Sequence, residues 1–208
     1  MDDTIWDFRT NSKIALEIIY DRYGLSEYYP LFDEYYRVYS EKNTELWSLY
    51  HHNRISKEAL IVERFRYPLQ RVGAYNDKLV LQLNADYLSV LSEQGELVPQ
   101  ARELLDYLKS RSYRLHIISN GFKEVQFKKM KSAGIENYFE KIILSDEVGV
   151  NKPHPDIFRY ALNKTGSSKN TSLMIGDNYD ADILGAMRSG LDQVYFNPLQ
   201  KQIADEFP

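Results

Sequence analysis

The 208-residue sequence predicts an α/β protein, in which a parallel sheet is covered by helices and a helical segment is inserted ahead of it. Two observations carry this prediction. The second half alternates short apolar strands with helices, a pattern typical of parallel sheets with helices on both faces. The first half has helical periodicity and no convincing strand, which indicates a helical bundle of about eighty residues.

Four helices are predicted in the first half, each with an apolar stripe at helical spacing. Their predicted ranges are 10–23, begun by Thr10 or Asn11 and stopped at Gly24; about 31–50; from Ser56 to near Pro68 or Gly73; and about 76–92. We expect these stripes to pack against one another and to form the core of the bundle.

The first half is also rich in tyrosine, with eleven of the 17 tyrosines before residue 96. Aromatic residues at helical spacing are typical of a core, and stacking on a planar ligand is the alternative. Trp47 and Tyr50 are the best candidates for stacking, because a loop follows them directly. The neighbouring pair His51 and His52 makes a poor metal chelate, since adjacent helical residues point about 100° apart.

Four strands are predicted in the second half, and their carboxyl ends indicate where the functional site lies. The predicted strands are 114–119, 141–145, 172–176 and 193–196, and helices are predicted from Pro99 to about 108, at 122–133, 156–165 and 180–189. Ligands of such sheets bind at the carboxyl ends of the strands. The side chains that follow each strand are therefore the candidate site residues.

Two strand ends carry groups suited to phosphate. Ser119, Asn120 and Gly121 follow the first strand and offer hydroxyl and amide donors, although Asn-Gly is also a common plain turn. Lys152 follows the second strand and precedes Pro153, which biases the lysine toward an extended conformation. A lysine held in this way can place its ammonium group over a fixed point, whereas most loop lysines are simply solvated.

The third strand is followed by three carboxylates within six residues, Asp177, Asp180 and Asp182. Such hard oxygen donors at a strand end suit Mg²⁺. Asp180 is the one we assign to the simpler role of beginning the next helix. The first residues, Asp2 to Thr4, resemble the end of a strand entering a loop, although an acidic amino terminus is more often frayed.

Composition narrows the functional class. The net charge of −4 gives no general attraction to nucleic acid or to an anionic membrane. There is no cysteine, no long apolar run and no basic signal sequence, so we expect a cytoplasmic protein without disulfides or thiolate metal sites. We expect a monomer or dimer that binds a small molecule.

Taken together, the motifs resemble the haloacid dehalogenase superfamily of phosphohydrolases over essentially the whole chain. The resemblance rests on an acidic first loop, Ser119, Lys152 before proline, and the acid pair Asp177 and Asp182. It implies a Rossmann-like core formed by residues 1–9 and 96–208, and an inserted helical cap domain formed by residues 10–95. Finer features are similar to the 5′-nucleotidase branch: Ser119 to Phe122, Glu147 to Val150, and Leu46-Trp47 with Tyr50.

The resemblance implies Mg²⁺-dependent hydrolysis of a phosphomonoester, most simply a nucleoside monophosphate, through an aspartyl-phosphate. The implied catalytic residues are Asp2, Lys152 and Asp182; the implied substrate-binding residues are Thr4, Ser119, Asn120, Gly121 and Trp47; the implied metal ligands are Asp2, through its main-chain carbonyl, and Asp177. In this scheme Asp2 protonates the leaving group and then deprotonates the attacking water.

The resemblance places the attacking aspartate one position before Met1, together with a central strand. We therefore expect the natural reading frame to extend upstream, and we expect little or no phosphatase activity from the 208 residues alone. A sugar-phosphate phosphatase or phosphomutase is the alternative reaction, and a non-catalytic protein that binds a phosphorylated ligand is the alternative class. A dehalogenase is disfavoured, because it needs neither an acid at Asp2 nor Mg²⁺.

Overall fold

The computed structural model describes residues 1–200 and 202 of the chain. Its α-helices are α1 (Phe8–Arg22), α2 (Phe32–His51), α3 (Lys57–Arg71), α4 (Asp77–Glu93), α5 (Ala101–Ser110), α6 (Lys123–Ser132), α7 (Ser145–Val148), α8 (Pro155–Thr165) and α9 (Gly185–Arg188). Its strands are β1 (Leu115–Ser119), β2 (Phe139–Leu144), β3 (Leu173–Gly176) and β4 (Asp192–Tyr195), and a π-helical segment covers Tyr179–Leu184. None of the helices in this part of the chain is long and apolar enough to cross a membrane.

The four helices predicted in the first half are all present, with corrections at their ends. Helix α1 begins after Asp7, whose carboxylate accepts hydrogen bonds from the backbone N–H (2.9 Å) and the hydroxyl (2.7 Å) of Thr10. The predicted first residues, Thr10 and Asn11, therefore lie inside the helix. Helix α3 begins after Ser56 as predicted, and it continues past Pro68 for three residues.

Asn11 has a different role from the one predicted. Its side chain is fully buried, and its amide Nδ2 donates to the carbonyl oxygens of Asp7 and Glu96, each at 2.8 Å. Its Oδ1 accepts the backbone N–H of Glu96 at 3.1 Å. Because a buried amide must be hydrogen-bonded, these bonds tie the start of α1 to the chain that leaves the helical half.

The strands are parallel, as predicted, but they form two separate pairs within the described residues. Strand β1 pairs with β2, and β3 pairs with β4. The predicted cover on both faces is incomplete for the second pair, because Leu173, Ile175 and Val194 are exposed on it. The α/β class therefore holds, whereas a continuous four-stranded sheet does not form.

The first residues contact the segment after β3, through Thr4 and Asp177, and helix α6, through Asp2. They form a turn rather than the predicted end of a strand, since Asp3 has a left-handed backbone conformation (φ 54°) and only isolated bridges flank it. Trp6 anchors this turn: its ring is fully buried and its indole N–H donates to the carbonyl oxygen of Gln94 at 3.3 Å. Burial of one such ring contributes about 2–3 kcal/mol, so Trp6 places Asp2 to Thr4 at the strand ends.

One large apolar core connects the two halves. It joins buried side chains of α1 to α4 with Leu105 on α5, Ile117 on β1 and Met130 on α6. The helical half is therefore packed directly against the first strand pair, and the space that remains between the halves is the cavity described next.

Candidate active site

The most tightly bonded part of the site is a buried ion pair at the strand ends. The Lys152 ammonium donates to Asp182 Oδ1 at 2.6 Å and to the carbonyl oxygen of Ile118 at 2.8 Å. The Asn120 side chain holds the lysine backbone, accepting its N–H at 2.8 Å and donating to its carbonyl oxygen at 2.9 Å. These four residues bring together the ends of β1 and β3 and the loop after β2, as the strand-end argument predicted.

Asp182 reaches this pair from the π-helical segment. A Cβ at Gly176 would overlap the Asp182 carboxylate, so only glycine can end β3 at this point. Burial alone raises the pKa of Asp182, but the Lys152 ammonium and the backbone N–H of Asn178 outweigh it, and the net shift of the pKa is downward. Asp182 is therefore ionised. The helix is begun by Asn178, whose Oδ1 accepts from Ala181 N at 2.9 Å, and not by Asp180 as predicted.

Asp2 faces helix α6. Its carboxylate accepts from the Lys129 ammonium (2.8 Å) and from the amide of Gln126 (2.8 Å). Lys129 is only 4% exposed and lies 4.2 Å from the centroid of the Trp6 ring. Burial raises the pKa of Asp2, but the Lys129 ammonium, together with the Gln126 amide, outweighs this and holds the pKa below its usual range.

Thr4 contacts Asp177, a further acidic residue of the site. Its hydroxyl donates to Asp177 Oδ1 at 2.7 Å. Burial, with a further contribution from Asp182, raises the pKa of Asp177. Burial and the nearby Asp177 carboxylate likewise raise the pKa of Asp3 to about 6, although Arg9 lies 3.8 Å from it. The sequence analysis gave Asp3 no role of its own, and the structure places it close enough to Asp177 for the two charges to interact.

The loop after β1 is closed by its own side chains. Ser119 is buried, and its hydroxyl accepts the backbone N–H of Gly121 at 3.0 Å. A Cβ at Gly121 would overlap the Gln126 amide, so glycine here allows Gln126 to reach Asp2. All three predicted residues of this loop line the same cavity as Lys152 and Asp182.

This cavity, of about 810 Å³, runs from the strand ends to the helical half. Trp47 lines it and stacks on Phe122, with ring centroids 5.3 Å apart. His51 also lines it; burial, and then the Lys152 ammonium, lower its pKa to about 4. The cavity therefore has a charged end and an aromatic end.

Lys129 and Gln126 are site residues that the sequence analysis missed. They are three residues apart on α6 and so lie on one face of the helix. A lysine on the buried face of the helix after Ser119-Asn120-Gly121 was the signal that could have identified them. Arg9 and Asn43, which also line the cavity, had no such signal.

The donor set near Asp177 fits Mg²⁺. Two neighbouring carboxylates, Asp177 and Asp3, each have a pKa raised by burial and by another negative charge, so a cation would relieve both effects. Within residues 1–200 and 202, no three acidic or imidazole side chains are grouped closely enough to hold an ion by themselves. Mg²⁺ in proteins is usually held by one or two carboxylates together with waters and phosphate oxygens.

Two curated bacterial enzymes are similar to this chain over most of its length. The pyrimidine 5′-nucleotidase YjjG of Escherichia coli (strain K12) is 30% identical over 197 residues, which cover 94% of this chain and 83% of that protein. The pyrimidine 5′-nucleotidase PynA of Streptococcus pneumoniae (strain ATCC BAA-255 / R6) is 29% identical over 199 residues, covering 95% and 81%.

A solved structure shows the same fold. The HAD-hydrolase YfnB of Bacillus subtilis, in a crystal form described as bound to magnesium and as revealing interdomain movement, superposes with a TM-score of 0.89. It is 28% identical, and the match covers 99% of this chain and 89% of that one. The haloacid dehalogenase-like hydrolase family model matches residues 1–190. This chain therefore belongs to the haloacid dehalogenase-like hydrolase family, as an enzyme of the phosphatase type.

Proposed function

We propose that the protein is a Mg²⁺-dependent phosphomonoester hydrolase that acts on nucleoside 5′-monophosphates. The observation that carries this proposal is the shape of the cavity. It joins the buried Lys152–Asp182 pair and Asp177 to an aromatic compartment lined by Trp47. A charged end suits a phosphate, and an aromatic end suits a planar base.

In this proposal Lys152 neutralises the phosphate and the loop after β1 binds its oxygens. A carboxylate that approaches an anionic phosphate at ~4 Å is repelled by about 4 kcal/mol for each unit charge at an effective dielectric of 20. The Lys152 ammonium offsets this repulsion because Asp182 and Asn120 hold it in place. Ser119, with the backbone amide of Asn120, binds the phosphate oxygens, and Thr4 keeps Asp177 in position.

Asp2 is the acid and base of the proposed reaction, in which an aspartate carboxylate attacks phosphorus and forms an aspartyl-phosphate. As the new bond to phosphorus forms, the bond to the leaving group breaks, and Asp2 gives a proton to the departing alkoxide. In the second step it takes a proton from the water that hydrolyses the aspartyl-phosphate. Its lowered pKa suits the second step. For the first step the protonated carboxyl must give up its contact with Lys129.

The Asp177 carboxylate and the main-chain carbonyl of Asp2 are the proposed ligands of Mg²⁺. When bound there, the ion supplies positive charge that stabilises the phosphoryl group in the transition state. Residues 10–95 act as the cap in this proposal: they exclude bulk water and select the leaving group. The division of the chain into this cap and a core of residues 1–9 and 96–208 is part of the proposal.

The two alternative functions predict results that differ from those expected of a nucleotidase. A sugar-phosphate phosphatase or phosphomutase would use the same charged end and would gain nothing from the aromatic compartment. A non-catalytic phosphate-binding protein would bind these ligands without releasing phosphate. The stacked Trp47 favours the nucleotidase, because a planar base is the leaving-group part that gains from aromatic stacking.

The test is phosphate release by the full-length protein with a panel of UMP, CMP, AMP, ribose 5-phosphate and glycerol 3-phosphate, with and without Mg²⁺. We expect Mg²⁺-dependent release that is fastest with a nucleotide. Asp177→Asn and Asp2→Asn should each abolish it, whereas Asp180→Asn, at the neighbouring acid, should not. Turnover at the wild-type rate in either of the first two variants would contradict the mechanism, and preference for a sugar phosphate would contradict the nucleotidase.

A further inference from the structure

The helical end of the cavity holds a cation whose role the proposed function does not explain. Arg64 on α3 is 3% exposed and lines the cavity. Its Nε donates to Asn84 Oδ1 at 3.1 Å and its Nη2 donates to the same atom. It forms no ion pair with any carboxylate of the described residues. Buried charges in proteins are normally paired, so a guanidinium that faces a cavity without a counter-charge has donors to spare.

Asn43 on α2 has an acceptor that lacks a donor among the described residues. It lines the same cavity, is 6% exposed, and its Oδ1 has no hydrogen-bond partner within the described part of the chain. A buried acceptor left without a donor destabilises the folded protein, so such an atom calls for an explanation. Together Arg64 and Asn43 provide spare donors and one spare acceptor at the same end of one cavity.

The walls around them suit a flat ring. Tyr36, Tyr39 and Trp47 contribute aromatic surface to this cavity, and Leu88 contributes aliphatic surface. Arg64 itself lies 5.1 Å from the centroid of the Tyr87 ring, so its guanidinium is held in place by a side chain behind it. A planar group that enters here would meet apolar surface on its faces and hydrogen-bonding groups at its edge.

The two spare groups also decide the chemistry of that edge. A carboxylate or second phosphate could accept from Arg64, but it has no N–H for Asn43 Oδ1. A hydroxylated sugar could satisfy either group and would gain little from aromatic faces. A lactam, in which a carbonyl adjoins a ring N–H, accepts from Arg64 and donates to Asn43 at once. Uracil, thymine and guanine have this edge, whereas adenine and neutral cytosine do not.

We propose that Arg64 and Asn43 are the specificity-determining residues of the enzyme and that they bind the lactam edge of a nucleobase. This inference rests on the proposed function and names the part of the leaving group that the site recognises. A site built to hydrogen-bond a substrate group discriminates strongly against analogues that lack it, because its own buried groups are then left unpaired.

The experiment compares UMP, AMP and ribose 5-phosphate as substrates of the full-length protein and of its Asn43→Ala and Arg64→Met variants. We expect the wild type to prefer UMP. Each variant should lose about 10- to 100-fold in kcat/KM for UMP, mostly through KM, and less than about twofold for ribose 5-phosphate. The preference for UMP over AMP should shrink by the same factor.

Two controls separate recognition from structure. Arg66→Met removes the next arginine along α3, which pairs with Glu63 at 2.6 Å and is not among the residues that line the cavity. This variant should keep the wild-type ratio of UMP to ribose 5-phosphate. Asn43→Ala removes little packing, so it tests the proposal even if Arg64→Met fails to fold.

The outcomes are distinct. Equal losses for all three substrates, or an unchanged ratio in Asn43→Ala, would overturn the assignment of Arg64 and Asn43 while the nucleotidase stands. A wild type that hydrolyses ribose 5-phosphate as well as UMP would overturn the inference together with the nucleotidase, and the phosphatase would remain. A wild type with no activity on any phosphate ester would overturn both proposals.

Discussion

The two ends of the cavity differ in how completely their polar groups are bonded. At the strand ends, Lys152, Asp182 and Asn120 form a closed set of bonds between 2.6 and 3.1 Å. At the helical end, Asn43 buries a side-chain oxygen that lacks a partner among the described residues. At the strand ends, this closed set of bonds holds the charges rigidly for the phosphate, which every substrate carries. At the helical end, an unpaired polar group destabilises the free protein, but it remains available to bind the leaving group, which differs between substrates.

The largest expected effect comes from breaking the closed end. Lys152→Met should reduce phosphate release to background and lower the free energy of unfolding by about 3 kcal/mol, because it leaves the Asp182 carboxylate buried without its counter-ion. Without Lys152, burial raises the pKa of Asp182, so the loss of stability should be smaller at pH 5 than at pH 7. Urea denaturation at both pH values measures this.

The matched control for Lys152→Met is Lys164→Met. Lys164 also pairs with one carboxylate, that of Glu147, but both side chains are about one-third exposed. Exposed pairs contribute about 0–1 kcal/mol, so this variant should stay close to wild type. Equal destabilisation by the two substitutions would show that the strand-end pair has no special weight.

An intermediate effect is expected at His51, which also lines the cavity. Burial, and then Lys152, lower its pKa in the folded protein to about 4, below the unfolded value of about 6.5. The unfolded chain therefore binds the extra proton first as the pH falls. The stabilising contribution of neutral His51 is complete above pH 6.5 and is lost progressively from there to about pH 4.

His51→Asn should accordingly remove part of the acid sensitivity. Between pH 7 and pH 4.5 the variant should lose about 1 kcal/mol less stability than wild type, allowing for solvent screening. His52→Asn is the control, because His52 is the exposed neighbour and its ring nitrogen Nδ1 lies 2.8 Å from the Ser48 carbonyl oxygen. Parallel stability curves for wild type and His51→Asn would contradict the lowered pKa.

The smallest effect tests the cost of unpaired groups within the helical half. Tyr29 and Tyr35 are both buried, with ring centroids 5.5 Å apart, but only the Tyr29 hydroxyl has a described partner, the Pro68 carbonyl oxygen at 2.7 Å. Tyr29→Phe should cost about 1 kcal/mol of unfolding free energy. Tyr35→Phe should be neutral or slightly stabilising. Thermal denaturation of the two variants compares them directly, and the reverse order would refute the argument.

Much of the site could be predicted because strand ends are local features. Ser119, Lys152 and Asp177 each follow an apolar run and precede a helix or proline, so their common edge follows from the parallel topology. The residue that begins the helix at Tyr179 was wrongly predicted to be Asp180. Several polar residues precede this helix, and each could accept its first free N–H groups. The structure shows that Asn178 is the acceptor.

The α/β class, the four-helix first half and the groups gathered at the strand ends could be predicted without a structure, because periodicity and strand-end position depend on neighbouring residues. Folding was needed to show that Asp2 pairs with Lys129 and Gln126, that Thr4 bonds to Asp177, and that Arg64 and Asn43 line one cavity. Each of these pairings joins residues that are distant along the chain. Burial, which gives them their energetic weight, is a property of the packed halves rather than of any single segment.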